Sequence, residues 1–167
     1  MMTYHCTACW SELPAGAVGQ PCAWCGAATD APGDYVDKLL QALRHPEPST
    51  PVRAASILGQ LGARRAVGPL LAVLRTSHDG FLLAAAARAL GQIGDPAAVP
   101  GLVELLRHGP LPARLAAVEA LRRLGGAEAE TALRWAARAD PARSVREAAG
   151  GSIVGGERKV GREQRVQ

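Results

Sequence analysis

The sequence has few aromatic residues. Phe, Tyr and Trp together make up 4% of its 167 residues, and there is a single Phe. Because 48% of the residues are nevertheless hydrophobic, a core has to be built mainly of Ala, Leu and Val. Ala and Leu are strong helix formers, whereas strands favour β-branched and aromatic residues. The composition therefore predicts closely packed helices rather than a large sheet.

Long hydrophobic runs are also missing. No apolar run reaches the roughly 18 residues that a membrane-spanning helix needs. Residues 1–6 show no basic stretch followed by an apolar one, so no signal peptide is visible. We therefore expect a cytoplasmic protein that makes no use of a membrane.

Basic residues are absent from the first part of the chain. Residues 1–33 contain no Lys or Arg and two acidic residues, a net charge of −2. Residues 34–153 contain 15 basic and 11 acidic residues, a net charge of +4, and the tail from residue 154 carries +2. We predict three parts: a small metal-binding module at 1–33, a helical domain at 34–153, and a basic, disordered tail at 154–167.

All four cysteines lie in the acidic segment, as two CxxC pairs separated by twelve residues. A cytosolic setting argues against stable disulfides, and a thioredoxin-like site needs one CxxC at the start of a helix. Two pairs at this spacing fit a tetrahedral, closed and therefore structural metal site. We predict one structural Zn²⁺ ion bound by Cys6, Cys9, Cys22 and Cys25, with iron as the alternative. Gly26 suits the sharp turn after the second pair, because glycine tolerates positive φ.

Residues 3–28 resemble a short zinc ribbon of the kind found in many small bacterial modules, which implies a β-hairpin with two metal-binding knuckles. Tyr4, Trp10 and Trp24 are expected to cover the site as a miniature core. Four thiolates and one zinc ion would bring the charge of the module to about −4. Such a module is poorly matched to phosphate, so we expect it to contact protein rather than nucleic acid.

After residue 34 the sequence repeats itself every 31 or 32 residues. LLQALR (39–44) recurs as LLAVLR (70–75), LVELLR (102–107) and LRWAAR (133–138). Between these segments lie ILGQLG (57–62), ALGQIG (89–94) and ALRRLG (120–125). The unit is a pair of helices: an Ala-rich helix A that ends near Gly62, Gly94 or Gly125, and a helix B that ends in Arg. We predict a helix B at 35–45, A–B pairs at 50–75, 80–107 and 112–138, and a last helix A at 142–153.

The segment LGQIGDPAAVPGLVELL (90–106) resembles the short HEAT-like repeats named after phycobilisome, or phycocyanobilin, lyases. The resemblance implies an all-α, right-handed α-solenoid in which the B helices line the concave face. Asp95-Pro96 is expected to cap and open a helix. The Arg that begins each repeat in this class is present as Arg114 and Arg146, but Pro51 and Leu83 replace it earlier. A ladder of arginines between repeats is therefore expected to be incomplete.

Enzyme classes find little support in the sequence. HEAT-like deoxyhypusine hydroxylases bind di-iron through His-Glu pairs, and no His here is followed by Glu. His45, His78 and His108 are expected to be solvated turn residues. We therefore predict a non-enzymatic protein–protein interaction scaffold. The alternatives are an accessory nucleic-acid-binding protein that uses the basic solenoid and tail, and a lyase-like enzyme or chromophore-binding protein.

A groove along the B helices is the candidate partner site. Positions that point away from the core on successive B helices form the column Gln41, Ala72, Glu104 and Trp135. We predict a groove formed by Gln41, Glu104, Arg134, Trp135 and Arg138, with Trp135 as the anchor. The alternative is that Trp135 packs under the last helix.

Four arginines recur in register at the ends of the B helices: Arg44, Arg75, Arg107 and Arg138. There a cation complements the helix dipole and can bond the last carbonyls. We therefore predict a structural role for this row. The alternative is a basic stripe that binds phosphate.

Overall fold

A computed structural model describes residues 4–6, 9, 11–13, 20–26 and 35–151 of the protein. Within 35–151 the chain forms eight α-helices joined by short turns. None of the helices in this described part is both long and apolar enough to cross a membrane. The helices are α1 (Tyr35–Ala42), α2 (Ser49–Gln60), α3 (Val67–Thr76), α4 (Gly80–Ile93), α5 (Val99–His108), α6 (Leu111–Leu124), α7 (Ala127–Ala139) and α8 (Arg143–Gly150).

The helices form two layers, as expected for an all-α solenoid. The A helices α2, α4, α6 and α8 pack on one another in sequence, and the B helices α1, α3, α5 and α7 flank them. The predicted order of helices is confirmed. Two ends differ: α1 stops at Ala42 instead of residue 45, and α8 stops at Gly150. Two consecutive glycines end α8 early because glycine is a poor helix former. The predicted end at residue 153 and the tail lie outside the described residues.

The turns follow local sequence rules. Gly62, Gly94 and Gly125 have positive φ values of 60°, 77° and 66°, as expected for glycines at helix ends, and Gly94 has the left-handed helical conformation. The side chain of Asp95 accepts a hydrogen bond from a main-chain N–H two residues later at 2.9 Å, and Pro96 occupies the first position of the following 3₁₀ turn. These features fix where each A helix ends and where the next B helix begins.

The core is made of Leu, Val and Ala, and its closest contacts lie between A helices. A Cβ atom at Gly59 would lie 2.7 Å from Cα of Ala89, and one at Gly91 would lie 2.7 Å from Cα of Ala120. Real Cβ atoms do not approach other atoms so closely. The first glycine of the repeated Leu-Gly-x-Leu-Gly motif therefore sets the distance between neighbouring A helices, a role that the sequence alone did not reveal.

In the third repeat Arg122 replaces this glycine, and its guanidinium donates a hydrogen bond to the carbonyl oxygen of Ala148 in α8. A second arginine also joins α6 to the last repeat. Nη2 of Arg114 donates to Oδ1 of Asp140 at 3.2 Å, and Asp140 is 1% exposed. Arg146 instead donates to the main-chain carbonyl of Asp140 at 2.7 Å. The ladder of arginines is thus incomplete, as predicted, and its contact between repeats lies at the α6–α8 junction.

Candidate metal centre and B-helix surface

Two short strands bring the first cysteine pair into place. Strands β1 (Tyr4–His5) and β2 (Glu12–Leu13) pair in antiparallel register, and the amide of Cys6 donates to the carbonyl of Ser11 at 2.9 Å. The second pair closes in a similar way. The amide of Gly26 donates to the carbonyl of Cys22 at 2.8 Å, and Gly26 has φ 70°, as expected. Each CxxC pair is therefore held in a tight turn.

The four sulfur atoms form one compact cluster. Sγ of Cys6 lies 3.6 Å from Sγ of Cys25, and Sγ of Cys9 lies 3.7 Å from Sγ of Cys22. All four lie within 4.8 Å of one another. These separations are too long for a disulfide, whose sulfurs are about 2.05 Å apart. Four sulfurs at about 2.3 Å from a tetrahedral zinc ion would be about 3.8 Å apart. The cluster could therefore hold one metal ion.

Ser11 supports the cluster from outside it. Its Oγ lies 3.2 Å from Sγ of Cys9. Hydrogen bonds from the side chain and then the main chain of Ser11 lower the pKa of Cys9 from 9.0 to about 6. The thiolate is the form of cysteine that binds metal, so Ser11 favours the metal-binding form of Cys9. Sequence reasoning missed this residue, although a hydroxyl two positions after a CxxC pair was a readable signal.

The expected aromatic cover is not where it was predicted. Trp24, between the cysteines of the second pair, is 79% exposed and points to solvent instead of covering the sulfurs. Trp10 and the side chain of Tyr4 lie outside the described residues.

The exposed face of the B helices carries three grooves in series. They lie between α1 and α3 (about 780 Å³), α3 and α5 (about 770 Å³), and α5 and α7 (about 600 Å³). Ser77 lines both the first and the second groove, and Pro100 and Glu104 line both the second and the third. The three grooves therefore form one surface, which we call the B-helix surface.

The predicted groove residues lie in different grooves along this surface. Gln41 lines the first groove, and Glu104 lines the second and third. Trp135 lines the third groove and is 41% exposed, so the alternative that it packs under α8 is wrong. Arg138 is exposed three residues after Trp135.

Arg134 does not line the groove, although it contacts a residue that does. It lines a separate pocket of about 420 Å³ with residues of α6 and α8, and its guanidinium donates to Oγ1 of Thr131, a residue of the third groove, at 3.1 Å. An adjacent residue on a helix is rotated by about 100°, so the neighbour of an outward Trp135 turns to another side.

We call the four arginines at or just after the ends of the B helices the arginine row; Arg44 lies two residues beyond Ala42, the last residue of α1. These arginines do not bond the last carbonyls of the helices. Within residues 35–151, none of the side chains of Arg44, Arg75, Arg107 and Arg138 donates to a main-chain carbonyl, and only Arg107 forms an ion pair, at 3.9 Å from Glu104. All four residues are exposed. The predicted carbonyl contacts are therefore wrong, and the row is presented to solvent.

The histidines are partly where they were expected. His45 and His78 lie in turns, whereas His108 is the last residue of α5. His78 and His108 both line the second groove, and Nε2 of His108 lies 3.8 Å from Glu104. Cys6, Cys9, Cys22 and Cys25 form the one cluster of potential metal ligands found among the described residues.

Comparison with known proteins identifies the repeats. Residues 36–114 match the family model for HEAT repeats. A phycocyanobilin lyase subunit alpha from Synechococcus elongatus is 34% identical to this chain over 94 residues. That match covers 52% of this chain and 34% of the relative, so the chain spans about a third of the relative's length. Residues 36–114 are thus similar to HEAT repeats, and the predicted resemblance to HEAT-like repeats is confirmed for this part of the chain.

The same comparison corrects one prediction. The sequence analysis predicted that the chain is not an enzyme, and the matched relative is a subunit of a lyase. That prediction rested on the absence of familiar catalytic motifs such as His-Glu pairs, and the similarity to a lyase subunit contradicts it.

Proposed function

We propose that this chain binds a partner protein along its B-helix surface, and that its N-terminal module is a zinc ribbon held by one Zn²⁺ ion on Cys6, Cys9, Cys22 and Cys25. The observation that carries the binding proposal is the series of three connected grooves that ends beside an exposed tryptophan. Solenoids commonly bind partners along such extended surfaces. In this proposal residues 1–33, 34–153 and 154–167 are the module, the solenoid and a tail.

Trp135 is the proposed anchor for the partner. Its indole lines the third groove, where the neighbouring side chains are mostly small or polar and include those of Pro100, Thr131 and Ala132. Aromatic side chains in such grooves contribute strongly to protein binding because a partner buries a large apolar area around them. Glu104 and Gln41, farther along the surface, would set the polarity of the contact.

Position-specific photo-crosslinking in cells of the native host tests this function. A photoreactive amino acid is placed at position 135 and, as a matched control, at position 81. Phe81 is a large apolar residue that is 75% exposed on helix A α4. We expect a protein that crosslinks at 135 and not at 81. Its affinity for the purified chain should then fall at least about thirtyfold with Trp135→Ala, while the melting temperature is unchanged. Equal crosslinking at both positions would refute the proposal.

The zinc proposal rests on the sulfur separations of 3.6 and 3.7 Å. An all-thiolate tetrahedral site is typical of Zn²⁺ or Fe, and a colourless protein that carries one zinc per chain would separate the two. Protein that contains neither metal, with four freely titratable thiols, would refute a metal site.

A second candidate function is supported by the lyase relative. The second groove has apolar walls, including Leu71, Leu74 and Leu105, and carries Arg75 and His108. A linear tetrapyrrole combines an apolar conjugated system with carboxylates, so it fits such walls. Titration with phycocyanobilin tests this function: saturable changes in absorbance that Arg75→Gln weakens would support it. Unchanged absorbance with added protein would reject it.

A further inference from the structure

The arginine row runs along the B-helix surface with few ion-pair partners. Arg44, Arg75 and Arg107 line the first, second and third grooves respectively. Arg138 extends the row on α7, one turn beyond Trp135 and on the same helix face. Within residues 35–151, the side chains of Arg44, Arg75 and Arg138 take part in no ion pair, and Arg107 is 3.9 Å from Glu104. The row therefore offers exposed guanidinium groups that no neighbouring carboxylate fully neutralises.

The repeat fixes the spacing of these groups. Each arginine follows the column of Gln41, Ala72, Glu104 and Trp135 by three residues, so the row keeps the register of the solenoid. Helices α3, α5 and α7 pack on one another in sequence, and the axes of packed helices are about 8–10 Å apart, so Arg75, Arg107 and Arg138 follow one another at about this distance. A peptide in the extended polyproline II conformation has three residues per turn and rises about 3.1 Å per residue, so every third side chain lies on the same face, about 9 Å from the last. A peptide that crosses the B helices would thus place every third residue at an arginine.

We propose that the partner segment is an extended acidic peptide with a carboxylate at every third position, which the arginine row binds while an apolar residue of the peptide contacts Trp135. This inference rests on the proposed protein-binding function and adds the chemistry of the partner. Guanidinium groups bind carboxylates through paired hydrogen bonds, and the spacing selects among acidic sequences.

A nucleic acid fits the same surface less well. The second and third grooves contain Glu104, and the third also contains Glu128, so carboxylates interrupt the row where a phosphate backbone would run. A strand of nucleic acid carries a phosphate at every nucleotide and would meet these carboxylates repeatedly. An acidic peptide with two neutral residues between its carboxylates avoids them.

Fluorescence anisotropy with synthetic peptides on the full-length chain tests the inference. The probe is a labelled peptide with Glu at every third position, small polar residues between and one Leu near its end. A peptide of the same composition with its Glu residues clustered is the matched probe, and a single-stranded RNA of equal charge is the third. We expect the spaced peptide to bind at least about fivefold more tightly than the clustered one. Arg75→Gln should weaken that binding up to about fivefold, and the quadruple Gln variant of the row by more than about tenfold.

Two exposed arginines on A helices, Arg53 and Arg123, provide control variants. Arg53→Gln and Arg123→Gln should leave peptide affinity unchanged.

Equal affinity for the spaced and clustered peptides, or an equal loss of affinity with the control variants, would overturn the inference. Tighter binding of the RNA, weakened by the same row variants, would overturn it in favour of a nucleic-acid partner. If no peptide binds while the protein crosslinked at position 135 still does, the inference fails and the proposed function stands. If the crosslinking fails as well, both fail.

Discussion

Glu47 shows how one side chain can start a helix from outside it. Its carboxylate accepts hydrogen bonds from the amides of Ser49 and Thr50 at 3.0 Å, and from both of their hydroxyl groups at 2.7 Å. These residues form the first turn of α2, whose amides have no partners within the helix. The hydroxyl and amide donors, those of Thr50 and Ser49 foremost, lower the pKa of Glu47 from its ordinary 4.5 to about 2.

This lowered pKa makes the contribution of Glu47 dependent on pH. A carboxyl group whose pKa is depressed on folding stabilises the fold above its unfolded pKa, and that contribution is lost as the pH falls towards the folded pKa. We expect Glu47→Gln to lower the melting temperature at pH 7 and to have a shrinking effect between pH 4.5 and about 2. Melting curves of both proteins by circular dichroism across this range would show it. An effect that is constant with pH would contradict the assignment.

The buried pair of Arg114 and Asp140 should matter more than any exposed pair. Asp140 is 1% exposed, so without its arginine the carboxylate would stay buried and largely uncompensated. We expect Arg114→Gln to cost about 3–5 kcal/mol of unfolding free energy, measured by urea denaturation. The control is Arg143→Gln, which removes the exposed ion pair between Nε of Arg143 and Oε1 of Glu147, 2.7 Å apart. We expect it to lower the unfolding free energy by less than about 1 kcal/mol. Similar losses for both variants would show that burial does not decide the effect.

At the scale of the helices, glycines in two environments should respond in opposite ways to the same change. Gly91→Ala introduces a Cβ atom 2.8 Å from Cβ of Ala120, so α4 and α6 have to separate. We expect a loss of about 1–3 kcal/mol. Gly68, in the first turn of α3, has open space at the same position and should gain up to about 1 kcal/mol as Ala. Urea denaturation of the two variants checks both signs, and a gain at Gly91 would contradict the close approach.

The helix pattern was predictable because each boundary has a local cause. The positive-φ glycines and Asp95 act within a few residues of the chain, so the sequence displays them, and the repeat period shows the same pattern several times. The role of Gly91 was not predictable in the same way. It depends on which helix lies opposite, and a glycine inside a helix looks the same whether its neighbour is solvent or Ala120.

The residues of the candidate site also differ in how far the sequence alone could predict them. The four cysteines could be assigned as ligands of a cluster, because two CxxC pairs at this spacing have few other ways to fold. The direction of a single side chain was harder to read. Trp24 turned out exposed, and Arg134 faces a pocket of α6 and α8 rather than the groove. Both depend on rotation within a turn or helix, which hydrophobic periodicity fixes poorly where apolar residues are few.

For the molecule as a whole, the sulfur cluster and the helical core draw on separate sets of residues. Among the described residues, the hydrophobic core cluster runs from Leu39 to Ala149 and contains none of residues 4–26. In the sulfur cluster Cys6 and Cys22 are buried, whereas Cys25 and the neighbouring Trp24 are exposed. A segment of about 30 residues has too little core to fold without such a metal site.

We therefore expect disruption of the sulfur cluster to leave the helical core folded. We expect Cys9→Ser to lose the bound metal, measured by elemental analysis, because a tetrahedral all-thiolate site loses a ligand. The helical signal at 222 nm and the melting of the solenoid should be nearly unchanged, because contacts in repeat proteins are mainly between neighbouring repeats. Trp24→Ala, in the second CxxC turn, is the matched control and should retain the metal, since its indole is 79% exposed. Loss of the helical signal in Cys9→Ser would show instead that the N-terminal module stabilises the first repeat. Loss of metal in Trp24→Ala would show that the indole does cover the sulfur atoms.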